Sequence, residues 1–197
     1  IGQGRKVPVE VAASGPRVIA IAARHADRVM FALGADPDRI AWGIATAKRA
    51  RRDAGLDPDG IAFGAYVNCG CNPDPDRARG VVKGGLTTFA RFSVMHGRAA
   101  GPVSDADAAV LRDLRENYDM TAHTRGDSRQ AGVLTAGFVD RFAVAGPPDV
   151  CAARLRRLAA LGLDKIAISG GMRGADPADA ALSRTLLERE VLPALRA

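Results

Sequence analysis

The sequence predicts an α/β fold built on a parallel sheet. Short apolar runs typical of strands alternate along the chain with longer segments that have helical periodicity. Helix-length connections join successive strands, so the strands are expected to be parallel neighbours with helices outside. The chain has 197 residues, of which 47% are hydrophobic and 25% charged, and this suffices for one globular domain with a substantial core.

The first unit, residues 7–26, predicts a strand, a tight turn and a helix. Valines alternate with other residues over positions 7–12, and Pro8 suits the start of a strand because it has no N–H to donate. Ser14 is a typical N-cap residue, Gly15 frees the backbone, and Pro16 suits the first helical position. The helical spacing predicts a buried face that contains Val18, Ile21 and Ala22.

The turn of this first unit is a candidate anion site. A strand that leads through small residues into a helix leaves unpaired N–H groups pointing outward, and such groups bind phosphate. The alternative is an ordinary, well-capped loop between a strand and a helix. The candidate residues are Ala12, Ala13, Ser14, Gly15 and Pro16.

The next elements repeat the same alternation. A second strand is expected over residues 27–34, and a long helix begins around Asp36 and ends at Gly55. A third strand covers residues 61–67, and residues 68–75 predict a loop because they are rich in asparagine, glycine and proline. This order of strand and helix demands a parallel sheet or a barrel.

The middle of the chain predicts a helical excursion between strands. Helices are expected over residues 76–96 and 104–118, and residues 119–128 are polar and irregular. Such excursions serve as lids, substrate walls or subunit contacts. The regular alternation returns at residues 138–145, and a helix, the fourth main strand at residues 164–169 and a last helix over residues 177–195 follow.

Composition excludes several classes of function. The net charge is +6, but the densest basic cluster, residues 48–52, lies late in a helix and is typical of a solvated face, so no nucleic-acid partner is expected. The three cysteines indicate reduced thiols and a cytoplasmic protein, and their spacing does not suit zinc. No apolar run is long enough to span a membrane.

Several polar residues are candidates for a substrate pocket. His96 and His123 bracket the helical excursion, and each could donate a proton or bind substrate, the alternative being a structural or surface role. His25, late in the first helix, is expected to be a partner of the helix dipole. Asn68 ends the third strand, and Glu10 could point inward and pair with a cation or point outward.

Four stretches of the chain resemble one known family: VPVEVAASGPRVIAIAARHADRVMF, AKRARRDAGLDPDGIAFGAYVNC, DRFAVAGPPDVCAARLRRLAALGLDKIAI and EVLPAL. They are similar, in order and spacing, to the luciferase-like monooxygenase superfamily, and most closely to its branch of oxidoreductases that use coenzyme F420. The resemblance implies a TIM (β/α)8 barrel, of which residues 1–197 provide strands five to eight in a single domain. It also implies a helical insertion, residues 76–137, before the last strand.

This resemblance implies a function and a site. The family transfers a hydride between reduced deazaflavin and an organic substrate, and its loop after the fifth strand, here residues 12–16, holds the cofactor phosphate. An FMN-dependent monooxygenase and a non-catalytic cofactor-binding half-barrel are the alternatives. Because the cofactor performs the chemistry, no catalytic triad is expected and no catalytic residue is assigned. Arg173, with the glycines after the last strand, could bind an anion or belong to a plain loop.

The same resemblance bears on the size and assembly of the protein. The chain begins with Ile1 rather than methionine, just before the strand similar to the fifth of the barrel, so we expect the back half of a longer enzyme with a natural C-terminus. Family members are commonly dimers, and a homodimer that acts on a small-molecule substrate is expected. A half-barrel would expose two strand edges, which favours self-association.

Overall fold

A computed structural model describes residues 4, 6–171 and 173–196, and Ile1 lies outside the described residues. The strands are β1 (Glu10–Ala13), β2 (Arg28–Phe31), β3 (Ala62–Cys71), β4 (Val144–Gly146) and β5 (Lys165–Ser169). The helices are α1 (Pro16–His25), α2 (Pro37–Asp53), α3 (Pro75–Phe92), α4 (Asp105–Glu116), α5 (Arg129–Gly132), α6 (Ala136–Phe142), α7 (Pro148–Ala159), α8 (Pro177–Leu186) and α9 (Leu192–Arg196). A 3₁₀ turn (Met120–Ala122) precedes α5, and a π-helical turn (Leu187–Val191) joins α8 to α9.

The five strands form one parallel sheet. β1 pairs with β2, β2 pairs with β3, and β5 pairs with β3 on the edge opposite β2. The short β4 pairs only with the carboxyl-terminal part of β3. The predicted neighbours, near residues 7–12, 28–32, 61–67 and 165–169, are therefore confirmed as adjacent parallel strands.

Alternation along β3 separates the two faces of this sheet. Phe63, Ala65 and Val67 belong to the main core together with residues of α1, α2 and α7. The alternate side chains, such as Tyr66 and Asn68, point to the opposite face, because successive strand residues face opposite sides. We call that second face, which carries Glu10, Ala12, Arg28, Met30, Gly64, Tyr66, Asn68, Lys165, Ala167 and Ser169, the inner face.

The third strand is longer than the sequence predicts. Residues 68–71, expected in a loop, continue β3 as far as Cys71. The glycine at position 70 suggests a loop, but a Cβ at this position would overlap the backbone carbonyl of Ala78 in α3. Gly70 therefore permits close packing of a helix on the strand and does not break the strand.

The segment over residues 138–145 is also different from the prediction. Most of it is helical, because α6 runs to Phe142, and only Val144 and Ala145 belong to a strand. Thr135 caps this helix by accepting a hydrogen bond from Phe138 N over 3.2 Å. Phe138 and Phe142 lie four residues apart on one side of α6, and their rings stack with centroids 4.2 Å apart in a second core under α3.

Helix α1 buries a different face from the one expected. Ile19, Ala22 and Ala23 are buried, whereas Val18 is 44% exposed and Ile21 54% exposed. Two of the three residues expected to point inward thus lie mainly on the outer side of the helix. The helix start is correct, since Pro16 is its first residue, and the predicted start of α2 at Asp36 is also correct.

The helical excursion is present between β3 and β4. It contains α3, α4, the 3₁₀ turn, α5 and α6. Its own core consists of side chains from α3, α4 and α6, among them Val82, Leu86, Leu111 and Phe138. The insertion bounds at residues 76 and 137 stay a prediction, because α3 already begins at Pro75 and α6 continues past residue 137.

Candidate functional site

The loop between β1 and α1 lies where the carboxyl ends of β1 and β2 meet. Ala13 accepts a hydrogen bond from Ala32 N over 2.9 Å, which ties the start of this loop to the chain leaving β2. Gly15 is the N-cap of α1, with φ −126° and ψ 157°, and its carbonyl accepts from Ile19 N over 3.0 Å. The carboxyl edge of parallel strands is where α/β folds place their binding loops.

Ser14 is not the N-cap of α1, which corrects the sequence prediction. Its hydroxyl donates to the carbonyl of Phe92 over 3.3 Å, across 78 residues of sequence. Gly15 takes the cap position instead, and no side chain caps the helix. Ser14 thus joins the candidate anion loop to the end of α3.

The uncapped start of α1 leaves donors available. Within the described part of the chain, no backbone carbonyl accepts a hydrogen bond from Arg17 N or Val18 N. By contrast, Asp36 at the start of α2 accepts from Asp38 N over 2.8 Å and from Arg39 N over 3.3 Å. Free N–H groups with a helix dipole behind them favour an anionic ligand.

Gly15 faces open space beside these donors. A Cβ built on this residue meets no atom within 4 Å, so a ligand can approach the main chain there. The backbone of Gly15 is extended, a conformation that any residue adopts, so the chain does not need a glycine at this position for its conformation. The geometry therefore fits a phosphate group held by main-chain donors.

A row of charged side chains lies on the inner face at the amino ends of the strands. Glu10 accepts from Lys165 Nζ over 2.8 Å and also contacts Arg28 Nη1. These hydrogen bonds, first that of Lys165 and then that of Arg28, hold the pKa of Glu10 below its usual range. Glu10 thus points inward and pairs with cations, which was one of the two alternatives left open by the sequence.

An aromatic wall lies farther along the inner face. Tyr66 is half-buried and stacks on Phe89 of α3, with ring centroids 5.7 Å apart. Phe89 in turn meets Phe92 edge-on at 6.2 Å. Tyr66 is absent from the residues expected in the pocket, although its position two residues before Asn68 on one strand already places both on the same face.

Asn68 lies near the carboxyl end of β3, and its place in a substrate pocket stays a prediction. It is 1% exposed, and its Oδ1 accepts from Ser169 Oγ of β5 over 3.2 Å. This contact follows the strand register, in which Asn68 and Ser169 are paired. The structure thus brings an amide and a hydroxyl together on the same face as Tyr66.

The other three predicted pocket residues are more dispersed. His96 is exposed in the turn after α3, and Arg173 is exposed beyond β5, where its backbone carbonyl accepts from Gly126 N over 2.7 Å. His123 is half-buried, and its Nδ1 lies 2.8 Å from Tyr118 Oη. The hydrogen bonds of these residues do not connect them to Asn68 or to the loop after β1, and their roles stay predictions.

The three cysteines lie on the side of the sheet opposite the inner face. Cys69 and Cys71 of β3 and Cys151 of α7 are completely buried in the main core. Burial, and next the neighbouring Cys151, raise the pKa of Cys71 to about 12. Over the part of the chain that the structure describes, no group of three histidine, cysteine or acidic side chains is arranged to hold a metal ion.

A parallel sheet with helices outside and a candidate anion loop at its carboxyl edge is typical of a part of a (β/α) barrel. The sequence profile of the family described as luciferase-like monooxygenase matches residues 2–165. The chain belongs to this family, and its sheet is part of a TIM-type barrel wall. None of the curated protein sequences compared with it matches.

Solved structures share this fold at low sequence identity. The coenzyme F420-dependent tetrahydromethanopterin reductase from Methanopyrus kandleri is 20% identical, with a TM-score of 0.63 over 95% of this chain and 50% of that one. An F420-dependent secondary alcohol dehydrogenase bound to an F420–acetone adduct is 17% identical, with a TM-score of 0.63 over 98% and 50%. A type II Baeyer–Villiger monooxygenase from Pseudomonas putida in complex with FMN is 17% identical, with a TM-score of 0.52 over 94% and 48%.

The present chain therefore spans about half the length of these solved structures. These three are described as an F420-dependent reductase, an F420-dependent dehydrogenase and a monooxygenase in complex with FMN. Within the described residues, no helix combines the length and the apolar character required to cross a membrane.

Proposed function

We propose that this chain supplies the cofactor-phosphate site of an oxidoreductase, with coenzyme F420 as the first candidate cofactor. The observation that carries the proposal is the uncapped start of α1, where Arg17 N and Val18 N have no acceptor among the described residues and Gly15 faces open space. Membership in the luciferase-like family supports a flavin-type ligand over other phosphates.

The main chain of α1 would hold the phosphate. Arg17 N and Val18 N donate toward the space beside Gly15, and the positive end of the helix dipole favours the negative charge there. The Ser14 hydroxyl donates to the Phe92 carbonyl over 3.3 Å, so the phosphate donors of this proposal are main-chain groups. Its role is to fix α3 relative to the loop.

The inner face would shape the rest of the site. A bound deazaflavin supplies the hydride chemistry. Tyr66, supported by Phe89, gives an apolar wall on which a planar group can stack. The Asn68–Ser169 pair places polar atoms on the same face, where they can orient a small organic substrate.

An FMN-dependent monooxygenase is the second candidate. FMN also carries a phosphate, and a solved structure of the same fold binds it. The two structures with the higher TM-scores are both described as F420-dependent, and this supports F420 as the first candidate. A titration with each cofactor decides between them.

The experiment titrates F420 and FMN separately into the wild-type chain, Gly15→Val and Gly137→Val. Valine suits the extended backbone of Gly15, so the fold is retained while its side chain occupies the space beside the donors. Losing one or two charge-assisted hydrogen bonds costs about 1.5–3 kcal/mol each, or roughly one to two decades in dissociation constant per bond.

Gly137 is the matched control, because it is an exposed glycine of α6 where a Cβ also meets nothing within 4 Å. The dissociation constant of Gly137→Val should equal that of the wild type, and circular dichroism should be unchanged in both variants. Equal affinity in Gly15→Val and the wild type would overturn the site assignment. Failure of both cofactors to bind the wild-type chain would overturn the function itself.

A further inference from the structure

A cavity of about 560 Å³ lies between α2 and α7, two helices that pack on the main core. The residues that line it come from the starts of α2 and α3, the end of α6, β4 and one side of α7, and none of them belongs to β1 or β5. Ala35, Val150 and Leu158 are among its apolar lining residues. The volume falls in the range of small-molecule sites, which is about 300–1,000 Å³.

Three helices begin at this cavity. Pro37 and Pro75 are the first residues of α2 and α3, and Pro147 is the N-cap of α7. The positive ends of three helix dipoles therefore lie around one space, and each of them favours a negative charge there. The side chains of Asp36 and Asp74 cap α2 and α3, whereas no side chain caps α7.

Four arginines line the same cavity, and two of them are paired with acids. Arg79 forms two parallel hydrogen bonds with Asp140, because its Nε and Nη2 each lie 2.8 Å from a carboxylate oxygen. Arg141 Nη2 donates to Asp107 Oδ1 over 2.5 Å. These two guanidinium groups are held in place, and their charges are largely balanced.

The other two arginines of the cavity, Arg154 and Arg157, lack such acids. The ion pairs formed by the described residues include neither of them. Arg154 is half-buried, and its Nη2 donates to the Arg141 carbonyl over a long 3.4 Å. Burial lowers the pKa of Arg154, because the charged form loses part of its water. An anion in the cavity would compensate this loss with charge-assisted hydrogen bonds.

The acids that line the cavity do not balance these two arginines. Asp36 is used in the cap of α2, and Asp140 is used by Arg79. Asp38, exposed in the first turn of α2, is a third acid, and it takes part in no ion pair among the residues that the structure describes. One carboxylate thus faces two guanidinium groups and three helix starts, so the surplus charge of the cavity is positive.

We propose that this cavity binds a phosphate group, with the guanidinium groups of Arg154 and Arg157 as its charged donors. Phosphate carries up to two negative charges and several acceptor oxygens, which match two guanidinium groups. The apolar lining favours the phosphate of a small organic ester over the free anion. Residues 12–16 do not line this cavity, so the site differs from the candidate anion loop and does not rest on the proposed cofactor function.

The test is isothermal titration calorimetry with phenyl phosphate, inorganic phosphate and phenol. Phenyl phosphate should bind the wild-type chain and phenol should not, because the charge is on the phosphate. Arg154→Gln should raise the dissociation constant of phenyl phosphate on the order of tenfold or more. Arg157→Gln, in which the altered residue is exposed and carries no risk to the fold, should raise it about three- to tenfold.

Three further variants separate this cavity from other sources of phosphate binding. Arg156→Gln removes the same charge from an exposed residue of α7 outside the cavity and should leave the dissociation constant unchanged. Asp38→Asn removes the unpaired carboxylate and should tighten binding about two- to fivefold. Gly15→Val, which alters the loop after β1, should retain the binding. Circular dichroism checks the fold of every variant.

The outcomes distinguish the site and its ligand. Inorganic phosphate bound as tightly as phenyl phosphate, with the same loss in Arg154→Gln, would support the site with the free anion as its ligand. Failure of both anions to bind the wild-type chain would overturn the proposal. Equal losses in Arg154→Gln and Arg156→Gln, or a loss confined to Gly15→Val, would overturn it as well.

Discussion

Arg39 Nη2 donates a hydrogen bond to Ser93 Oγ over 3.0 Å and so joins the start of α2 to the end of α3. The guanidinium is completely buried, and its other donors bond to the carbonyls of Leu33, Ala100 and Pro102 at 3.0–3.1 Å. Burial lowers the pKa of Arg39, because the charged form loses its water. Ser93 follows Phe92, whose carbonyl accepts a hydrogen bond from the Ser14 hydroxyl. The end of α3 is therefore bonded both to Arg39 and to the candidate anion loop.

Replacing Arg39 should therefore destabilise the chain strongly. Arg39→Met keeps an unbranched apolar stem but removes the guanidinium and leaves buried carbonyls without donors, and a loss of about 3–5 kcal/mol in the free energy of unfolding is expected. Arg39→Lys should lose about 2–3 kcal/mol, because an ammonium group cannot reproduce the fork of donors. Urea unfolding at fixed protein concentration measures both, and the exposed Arg52→Lys, expected to change stability by less than about 0.5 kcal/mol, is the control.

Two glycines of α3 should respond in opposite directions to the same substitution. A Cβ on Gly84 would overlap the carbonyl of Thr124, so Gly84→Ala must push the helix away and should cost about 1–3 kcal/mol. A Cβ on Gly80 meets nothing within 4 Å, so Gly80→Ala should stabilise the helix by about 0.5–1 kcal/mol. Thermal unfolding of both variants provides the comparison, and a stabilising effect of Gly84→Ala would contradict the close approach of residue 124.

Asp27 should make the stability depend on pH. Its carboxylate accepts from Lys6 Nζ and from Val9 N, each over 2.8 Å, and these bonds hold its pKa below the usual 3.8. A carboxylate with a lowered pKa in the folded state stabilises the protein above its ordinary pKa, and this stabilisation is lost as the pH falls through the folded-state pKa. The urea midpoint of Asp27→Asn should thus lie below that of the wild type at pH 7, and this difference should shrink below about pH 4.

Glu116→Gln, which alters an exposed carboxylate at the end of α4, is the control for that measurement. Its midpoint should follow the wild type at both pH values. A deficit of Asp27→Asn that is the same at pH 7 and near pH 3 would show that the charge of Asp27 contributes nothing.

The buried cysteines should be unreactive in the folded protein. With the pKa of Cys71 near 12, its thiolate fraction at pH 8 is about one in ten thousand, and Cys69 and Cys151 are equally buried. Fewer than about 0.1 thiols per chain should react with a disulfide reagent before unfolding, and all three should react in urea. Rapid reaction of any thiol in buffer would mean that the core opens locally.

Local sequence pattern is enough to predict the order and direction of the main elements. Alternating apolar runs and helical periodicity depend on neighbours two to four residues apart, so β1, β2, β3 and β5 could be placed from that pattern. Local chemistry also predicted that helices begin at Asp36 and Ser104, and both side chains accept a hydrogen bond from a backbone N–H, two residues on for Asp36 and three for Ser104. The resemblance to the luciferase-like family was also read from local stretches of sequence and from their order along the chain.

The packing of whole elements decides which face of a helix or strand is buried and which distant polar groups form hydrogen bonds. Val18 and Ile21 are exposed because α1 packs on the core through Ile19, Ala22 and Ala23. Gly70 continues a strand because α3 packs closely against it. Ser14 reaches Phe92 over 78 residues and Arg39 reaches Ser93 over 54. Contacts of that separation form only when distant elements come together in the folded chain, and local residue spacing does not encode them.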